Sequence, residues 1–294
     1  MAAAKKLNIG VIVNRSKPGA KEVLQQILEF SQGHPNLTLH FEKQTGRLIK
    51  RAGISEADLA RKADILLVAG GDGSLLDVVE AVYPTQVPIL GVNIGSLGFL
   101  TAVAESEVET ILPYVATNDL RLSPRLALAT TFHHLDGRNQ HVPCALNDVV
   151  ISRTNTARLV RIRVEVGEFL VTEYVCDGLI VATPTGSTAY SLAAGGPILS
   201  PDAESIVLTP ICPHTLTNRT LVVGTDEVLR IRIVRQAGVP APAVQFDGRV
   251  GGHLRSEDWL EIRPATSKVQ LAYLPHSDFY RVLRQKLKWS GASV

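Results

Sequence analysis

Asp64-Ile65-Leu66-Leu67-Val68-Ala69-Gly70-Gly71-Asp72-Gly73-Ser74 is the stretch on which the fold turns. Ile65 to Ala69 is an unbroken apolar run, the pattern of a parallel strand buried on both faces. It stops at Gly70. From Ser74 to Val82 the apolar positions fall at helical spacing, with Ser74 placed as the helix cap. A strand, a glycine turn and a helix start bring backbone N–H groups and the positive end of the helix dipole to one point, which favours an anion. Glycines let a polyphosphate approach the backbone closely and permit positive φ. Gly70, Gly71, Gly73 and Ser74 are therefore the candidate phosphate cradle. Asp72 is the odd member, because a carboxylate repels phosphate unless it holds a metal, takes a proton or binds a hydroxyl. The plainer reading is a tight turn whose Asp caps the helix.

On either side of this stretch, strand and helix patterns alternate. Ile9 to Val13 reads as a strand, Ala20 to Ser31 as a helix, and Leu37 to Phe41 as a strand. Ser55-Glu56-Ala57-Asp58 opens a short helix in the manner of a capping box, and Pro88 to Val92 is another strand. The alternation predicts an α/β, Rossmann-like domain with a parallel sheet over residues 1–119. From residue 120 the helical patterns nearly vanish. Leu126 to Phe132, Val149 to Ser152, Leu159 to Val166, Leu170 to Val175, Leu179 to Ala182, Leu229 to Val234 and Trp259 to Ile262 read as strands. Asp136-Gly137, Asp177-Gly178 and Asp247-Gly248 punctuate them, which predicts an all-β, sandwich-like domain over 120–274. Ser277 to Trp289 restores an amphipathic helix, so 275–294 is expected to return to the first domain.

Composition narrows the function. The chain has 294 residues, 45% hydrophobic and 20% charged, enough for two cores. A net charge of +2 gives no electrostatic case for nucleic acid or a membrane surface as partner. No apolar run approaches the roughly 18 residues of a membrane span. Met1 to Lys6 leads straight into a strand pattern, without the signature of a cleavable signal peptide. Cys144, Cys176 and Cys212 have no CxxC spacing and read as small buried residues of a reduced, cytoplasmic protein.

Three further segments carry polar residues where packing alone would not place them. Gly91-Val92-Asn93-Ile94-Gly95-Ser96-Leu97-Gly98-Phe99-Leu100 follows a parallel strand and sits at the sheet's C-terminal edge beside the first glycine loop. Thr183 to Ser191 ends a strand with Thr and Ser hydroxyls that suit ribose or phosphate, while Tyr190 offers a ring to a base. A polar β-turn is the alternative. Asn147-Asp148 interrupts the apolar run from Cys144 to Ile151, which costs burial energy unless both find partners. A bulge at a ligand site accounts for the pair, as does a strand edge facing water. His133, His134 and His141 flank the Asp136-Gly137 tip without metal spacing and read as solvated loop residues. His214, in Pro210-Ile211-Cys212-Pro213-His214, reads as a hydrogen-bonded structural histidine, with a catalytic role as the alternative.

Together these motifs resemble the NAD kinase family. The resemblance rests on Gly70 to Ser74, Asn93-Ile94-Gly95 through Leu100, Asn147-Asp148, and Thr183-Pro184-Thr185-Gly186-Ser187-Thr188-Ala189-Tyr190. Leu208-Thr209-Pro210-Ile211-Cys212-Pro213-His214-Thr215-Leu216 and Asp247-Gly248 extend it over roughly residues 8 to 275. Many members have Thr at the position of Ser74 and Glu at that of Asp148, swaps that keep the chemistry. The resemblance implies transfer of the γ-phosphoryl of ATP, or of a polyphosphate, to the 2′-hydroxyl of the adenosine ribose of NAD. It implies Asp72 as base or hydroxyl-orienting carboxylate, and donor phosphates on Gly70, Gly71, Gly73 and Ser74. Mg²⁺ or another divalent ion would be held mainly by the phosphates, with no metal ligand from the protein. Asp72, Gly73, Asn93, Phe99, Asn147, Asp148, Asp177, Thr185, Thr188, Ala189, Tyr190 and Ser191 are the implied NAD-binding residues. Asn147 and Asp148 would hold the ribose, Phe99 would lie near the adenine, and Asp177 near the nicotinamide. It also implies a homodimer or homotetramer assembled through the β domain.

Rival readings share single motifs. A phosphofructokinase shares the glycine loop but carries an Asp-Asn-Asp stretch that this sequence lacks. A lipid kinase of the diacylglycerol or sphingosine type shares the domain order, but usually carries Asn and Glu soon after its glycine loop, where this chain has Leu75, Leu76 and Val78. A non-catalytic NADP-binding protein on the same scaffold is an alternative of a different class, and an intact Asp72 argues against it.

Overall fold

In the computed structural model, residues 6–101, 103–234 and 239–289 are described; the expectation for the stretch before Lys6 lies outside them. The chain divides into two compact units, one running to Pro124 and resuming at Val269, the other spanning Arg125–Lys268.

The first unit contains β1 (Leu7–Val13), α1 (Ala20–Gln32), β2 (Leu37–Phe41), α2 (Lys43–Leu48), α3 (Glu56–Lys62), β3 (Ile65–Gly70), α4 (Asp72–Val82), β4 (Ile89–Asn93), β5 (Val103–Ala104), α5 (Val108–Thr117) and β6 (Arg121–Arg125). The chain's later β19 (Val269–Tyr273) and α7 (Phe279–Leu287) belong to the same unit. The sheet runs β2-β1-β3-β4-β19-β6 with β5 against β4, and β1 to β5 and β19 pair in parallel. Every residue of β3 is buried. Helices α1 and α5 cover one face through Val23, Leu24, Ile27, Ile111 and Leu112. Ser55 caps α3 by accepting from Asp58 N at 3.1 Å. The unit junctions fall at 124/125 and 268/269 rather than 119/120 and 274/275, because β6 and β19 are strands of the first sheet. Helices α2 and α5 carry weak sequence signals, with Gly46 inside one and Pro113 inside the other.

The second unit contains β7 (Leu128–His133), β8 (Asn139–Ala145), β9 (Asp148–Ser152), β10 (Val160–Val166), β11 (Phe169–Cys176), β12 (Gly178–Ala182), α6 (Tyr190–Ala193), β13 (Ser205–Ile211), β14 (Leu221–Gly224), β15 (Leu229–Ile233), β16 (Ala243–Phe246), β17 (Arg249–His253) and β18 (Trp259–Pro264). They form two six-stranded sheets, β11-β10-β15-β18-β7-β8 and β14-β13-β12-β9-β16-β17. Phe132, Ile162, Val164, Ile231 and Leu260 of the first sheet share a core with Val149, Ile151, Leu179, Val181 and Leu208 of the second, the packing of a sandwich. The second sheet is also buried on its other face, where Val150, Ile180, Ala182 and Val207 pack against Ala194 and Leu199.

Two expectations need correction here. Cys144 and Cys176 are buried, and burial pushes the Cys176 thiol up to about 12, but Cys212 is exposed. The histidines near Asp136 are not loose loop residues. The His133 ring stacks on Trp259 at 3.8 Å, His134 Nδ1 lies 3.0 Å from Asp258 Oδ2, and His141 Nδ1 lies 3.2 Å from Thr131 Oγ1. His214 is exposed; its main-chain N–H, not its ring, bonds Val175 O.

Candidate functional site

The first cluster is built where β3 ends. Helix α4 begins at Asp72, two residues earlier than the apolar spacing suggests, and no side chain caps it. Ser74 is therefore in the first turn, not at the cap, and its Oγ accepts from Asn14 Nδ2 at 2.7 Å. The uncapped first-turn N–H groups remain open to an anion. None of Gly70, Gly71 and Gly73 has positive φ. Gly70 is instead needed for closeness, since a Cβ there would lie 2.5 Å from Ser74 Oγ, whereas Gly71 and Gly73 border open space. Lys17, in the loop after β1, places its ammonium 4.0 Å from where a Cβ on Gly71 would be. Sequence reasoning missed Asn14 and Lys17, although both follow a parallel strand at the same sheet edge.

Asp72 does not cap its own helix. Its Oδ2 accepts from Phe99 N at 2.8 Å, and its Oδ1 accepts from Leu100 N and Thr101 N, each at 3.1 Å, and from Thr101 Oγ1 at 3.0 Å. A carboxylate offers about four lone-pair sites, so Oδ2, with one donor, keeps room for another. Gly98 is the residue that lets this loop close: a Cβ there would overlap Asp72 Oδ1. Asn93 is buried and donates from Nδ2 to Gly95 O at 2.8 Å, holding the turn that leads into the loop. The Phe99 ring is half-buried, with Lys286 Nζ of α7 at 5.9 Å from its centroid. Beside Ser74 and Asn14 opens a cleft of about 370 Å³ lined by Glu42, Glu56 and Asp77 among others. Burial first, then Glu42 and Asp77, hold the Glu56 carboxyl above its usual range.

The second cluster lies in the β unit. Asn147 and Asp148 do not interrupt one strand. Leu146-Asn147 is the corner at which the chain leaves β8 in one sheet and enters β9 in the other, so both flanks are apolar for separate reasons. The corner's backbone is gripped from two sides. Thr183 Oγ1 donates to Leu146 O at 2.6 Å and Thr183 N to Asn147 O at 2.9 Å. Asp247 accepts from Leu146 N, Asn147 N and Asp148 N at 2.8, 2.7 and 3.1 Å. With the backbone satisfied, the side chains of Asn147 and Asp148 are left without protein hydrogen-bond partners among the described residues. Asp148 is 5% exposed, and burial, followed by the Asp247 charge, pushes its carboxyl up to about 7. A buried carboxyl without donors is costly, and hydroxyl donors from a ligand relieve that cost.

The hydroxyl-rich segment is spent largely on itself. Ser187 Oγ donates to Pro184 O at 2.6 Å, Thr188 Oγ1 to Thr185 O at 3.1 Å, and Ser191 Oγ lies 2.9 Å from Thr209 Oγ1. Thr185 and Ser191 are buried, with Arg125 Nη1 3.5 Å from Thr185 Oγ1, while Thr188 and Ala189 are half-buried. Gly186 is required because a Cβ would strike Asn147 O, so this turn backs directly onto the corner. Tyr190 is 47% exposed and free to present its ring. Asp177, between β11 and β12, pairs with Arg153 Nε at 2.6 Å.

Comparison with known proteins shows the family to which the chain belongs. Residues 9–120 match the ATP-NAD kinase N-terminal domain and residues 146–274 the ATP-NAD kinase C-terminal domain. NAD kinase of Symbiobacterium thermophilum is 40% identical over 278 residues, covering 94% of this chain and 97% of that protein. NAD kinase of Koribacter versatilis is 40% identical over 283 residues, covering 96% and 98%. Yeast NADH kinase, solved with NADH, superposes with a TM-score of 0.88 at 26% identity, covering 98% of this chain and 89% of that one. An Archaeoglobus fulgidus NAD kinase solved with ATP shares the fold, with a TM-score of 0.74 at 21% identity, covering 97% and 100%.

Proposed function

The chain belongs to the ATP-NAD kinase family, and from that premise we propose that it transfers the γ-phosphoryl of ATP to the 2′-hydroxyl of the adenosine ribose of NAD, giving NADP. The observation that carries the reading is Asp72, a carboxylate at an uncapped helix start whose Oδ2 keeps an acceptor position open. An alcohol nucleophile has to be oriented and has to lose a proton as its oxygen bonds phosphorus, while the bond from that phosphorus to the ADP oxygen breaks. Asp72 takes that proton or orients the hydroxyl. The donor phosphates rest on the α4 first turn at Gly71, Gly73 and Ser74, backed by Gly70, with Lys17 balancing their charge. Polyphosphate would meet the same groups.

In the β unit, NAD is bound by the second cluster; in the α/β unit, the loop around Phe99 is the part assigned to NAD. Asn147 and Asp148 receive vicinal ribose hydroxyls, and Tyr190 offers a ring face to the base. The segment from Thr185 to Ser191, half-buried at Thr188 and Ala189, shapes the pocket more through backbone than through hydroxyls. Asp177 carries the nicotinamide end. Among the described residues no group of three or more His, Cys, Asp or Glu side chains is arranged to hold a metal. A divalent ion brought on the donor's phosphate oxygens would supply charge neutralisation there.

No helix among the described residues is long and apolar enough to cross a membrane. We place the protein in the cytoplasm on its three cysteines, none in a disulfide. Homo-oligomeric assembly, dimer or tetramer, is supported by β11, an edge strand exposing Phe169 (79%), Leu170 and Val171.

The test is direct. The purified protein is incubated with ATP, Mg²⁺ and NAD, and NADP is measured with an NADP-specific dehydrogenase; NAD lacking the adenosine 2′-hydroxyl is the control acceptor. NADP formation with NAD alone supports the reading, and no product with any donor overturns it.

A further inference from the structure

The turn between β16 and β17 lies about a hundred residues from the Asn147 corner in sequence, yet it is wired to that corner. Asp247 (φ 47°) and Gly248 (φ 82°) form a two-residue hairpin turn with positive φ at both positions. That geometry turns the Asp247 carboxylate inward onto the three consecutive N–H groups of Leu146, Asn147 and Asp148. In return Asp247 N donates to Asp148 O at 3.1 Å. Four hydrogen bonds thus join one residue to one corner. They occupy the corner's backbone donors, which leaves the Asn147 and Asp148 side chains as its groups for a ligand.

We propose that Asp247 is a positioning residue for the acceptor: it fixes the Leu146–Asp148 corner so that Asn147 and Asp148 meet the two hydroxyls of one ribose together. The proposal rests on the functional reading above. Asp247 acts through the corner's backbone: its Oδ2 takes the N–H of Leu146 and its Oδ1 those of Asn147 and Asp148. It also acts on Asp148 by charge. Of the strands flanking β9, β12 brings Ala182 and Thr183 and β16 brings Phe246, none of them titratable. The charged neighbours are Asp247 and, beside Asp247, Arg249. Burial raises both carboxyls, and Asp247 raises Asp148 further. A group that only held the fold would not tie its charge to acceptor affinity.

The experiment compares the parental protein with D247A and D247N by steady-state kinetics and by calorimetry of NAD binding from pH 5.5 to 8.5. Asn keeps an acceptor oxygen for the N–H groups of Asn147 and Asp148 but removes the charge. D247A is expected to raise KM for NAD at least tenfold, with KM for ATP within twofold and kcat within a few-fold. D247N should recover part of that loss and move the pH midpoint of NAD affinity downward. Equal rises in both KM values, or parental KM and midpoint in D247N, overturn the proposal. Should D247A fail to fold, D247N decides by the same two readouts. If the parental protein neither binds NAD nor forms NADP, the functional reading falls first.

Discussion

Two carboxylates, Asp72 in the α/β unit and Asp148 in the β unit, are handled in opposite ways. Asp72 receives four donors from three consecutive residues and keeps one position open on Oδ2. Asp148 is more deeply buried, receives no side-chain donor among the described residues, and faces a second carboxylate. The first group is therefore set before any substrate arrives. The second, on the proposed function, is completed by its ligand, and without one its burial is a cost to the fold. Preorganisation suits the group that meets the reacting atom, where misplacement lowers rate. An unmet demand for donors suits the group that selects a hydroxyl, because it penalises ligands without one.

The largest effect should come from breaking the preorganised side. D72N keeps shape but cannot take a proton, so NADP formation should fall by about two to four powers of ten. The amide also turns an N–H toward Phe99 N, which should cost about 1–2 kcal/mol of stability in a denaturant melt. NAD and ATP affinities should stay within a few-fold. Activity within a few-fold of the parent would remove Asp72 from the chemistry.

G98A sharpens the same side without touching the carboxylate. A Cβ at residue 98 overlaps Asp72 Oδ1 and crowds Thr101 Oγ1, so either the loop or Asp72 must move. The expected outcome is a kcat loss of about tenfold to a hundredfold, with a stability cost of about 1–3 kcal/mol. The fully open Gly73 gives the contrast: G73A meets nothing within 4 Å and should fold normally. If G98A kept parental kcat, the donors from residues 99–101 would be irrelevant to the reaction.

These two sides were not equally legible in the sequence. The α/β side was, because β3 is a continuous apolar run and the glycines sit at its end, so strand, turn and helix follow from local rules. What local rules missed was where Asp72 points, since its donors lie 27 to 29 residues away. The β side was misread at its most important place. Cys144 to Ile151 looks like one strand because β8 and β9 are each buried in a different sheet, and periodicity does not register a change of sheet. Asp247-Gly248 was visible as a turn, but its grip on Leu146 to Asp148 depends on a register that only the folded chain sets. The hydroxyls of Thr183 to Ser191 were legible as a cluster, but not that several serve the turn itself.

The smallest effect tests the completed side by pH. The Asp148 carboxyl sits at about 7, above its value of 3.8 in an unfolded chain, through burial and then Asp247. A group raised in this way contributes stability that is full below pH 4 and is lost as pH rises through 7. The ligand-free protein should therefore melt at a lower temperature at pH 8 than at pH 6, with D148N flattening the difference. NAD should act in the opposite sense. Ribose hydroxyls donate to the ionised form, so binding favours loss of the Asp148 proton, and affinity should rise with pH. With a midpoint near 7, the ionised fraction grows about tenfold between pH 6 and pH 8, and NAD affinity should follow it up to that limit. Calorimetry with NAD alone reads this without titrating the donor's phosphates, and buffers of different ionisation enthalpy count the released proton. An affinity flat across that range, or one that falls, would mean that Asp148 is met by water and that the ribose is held elsewhere.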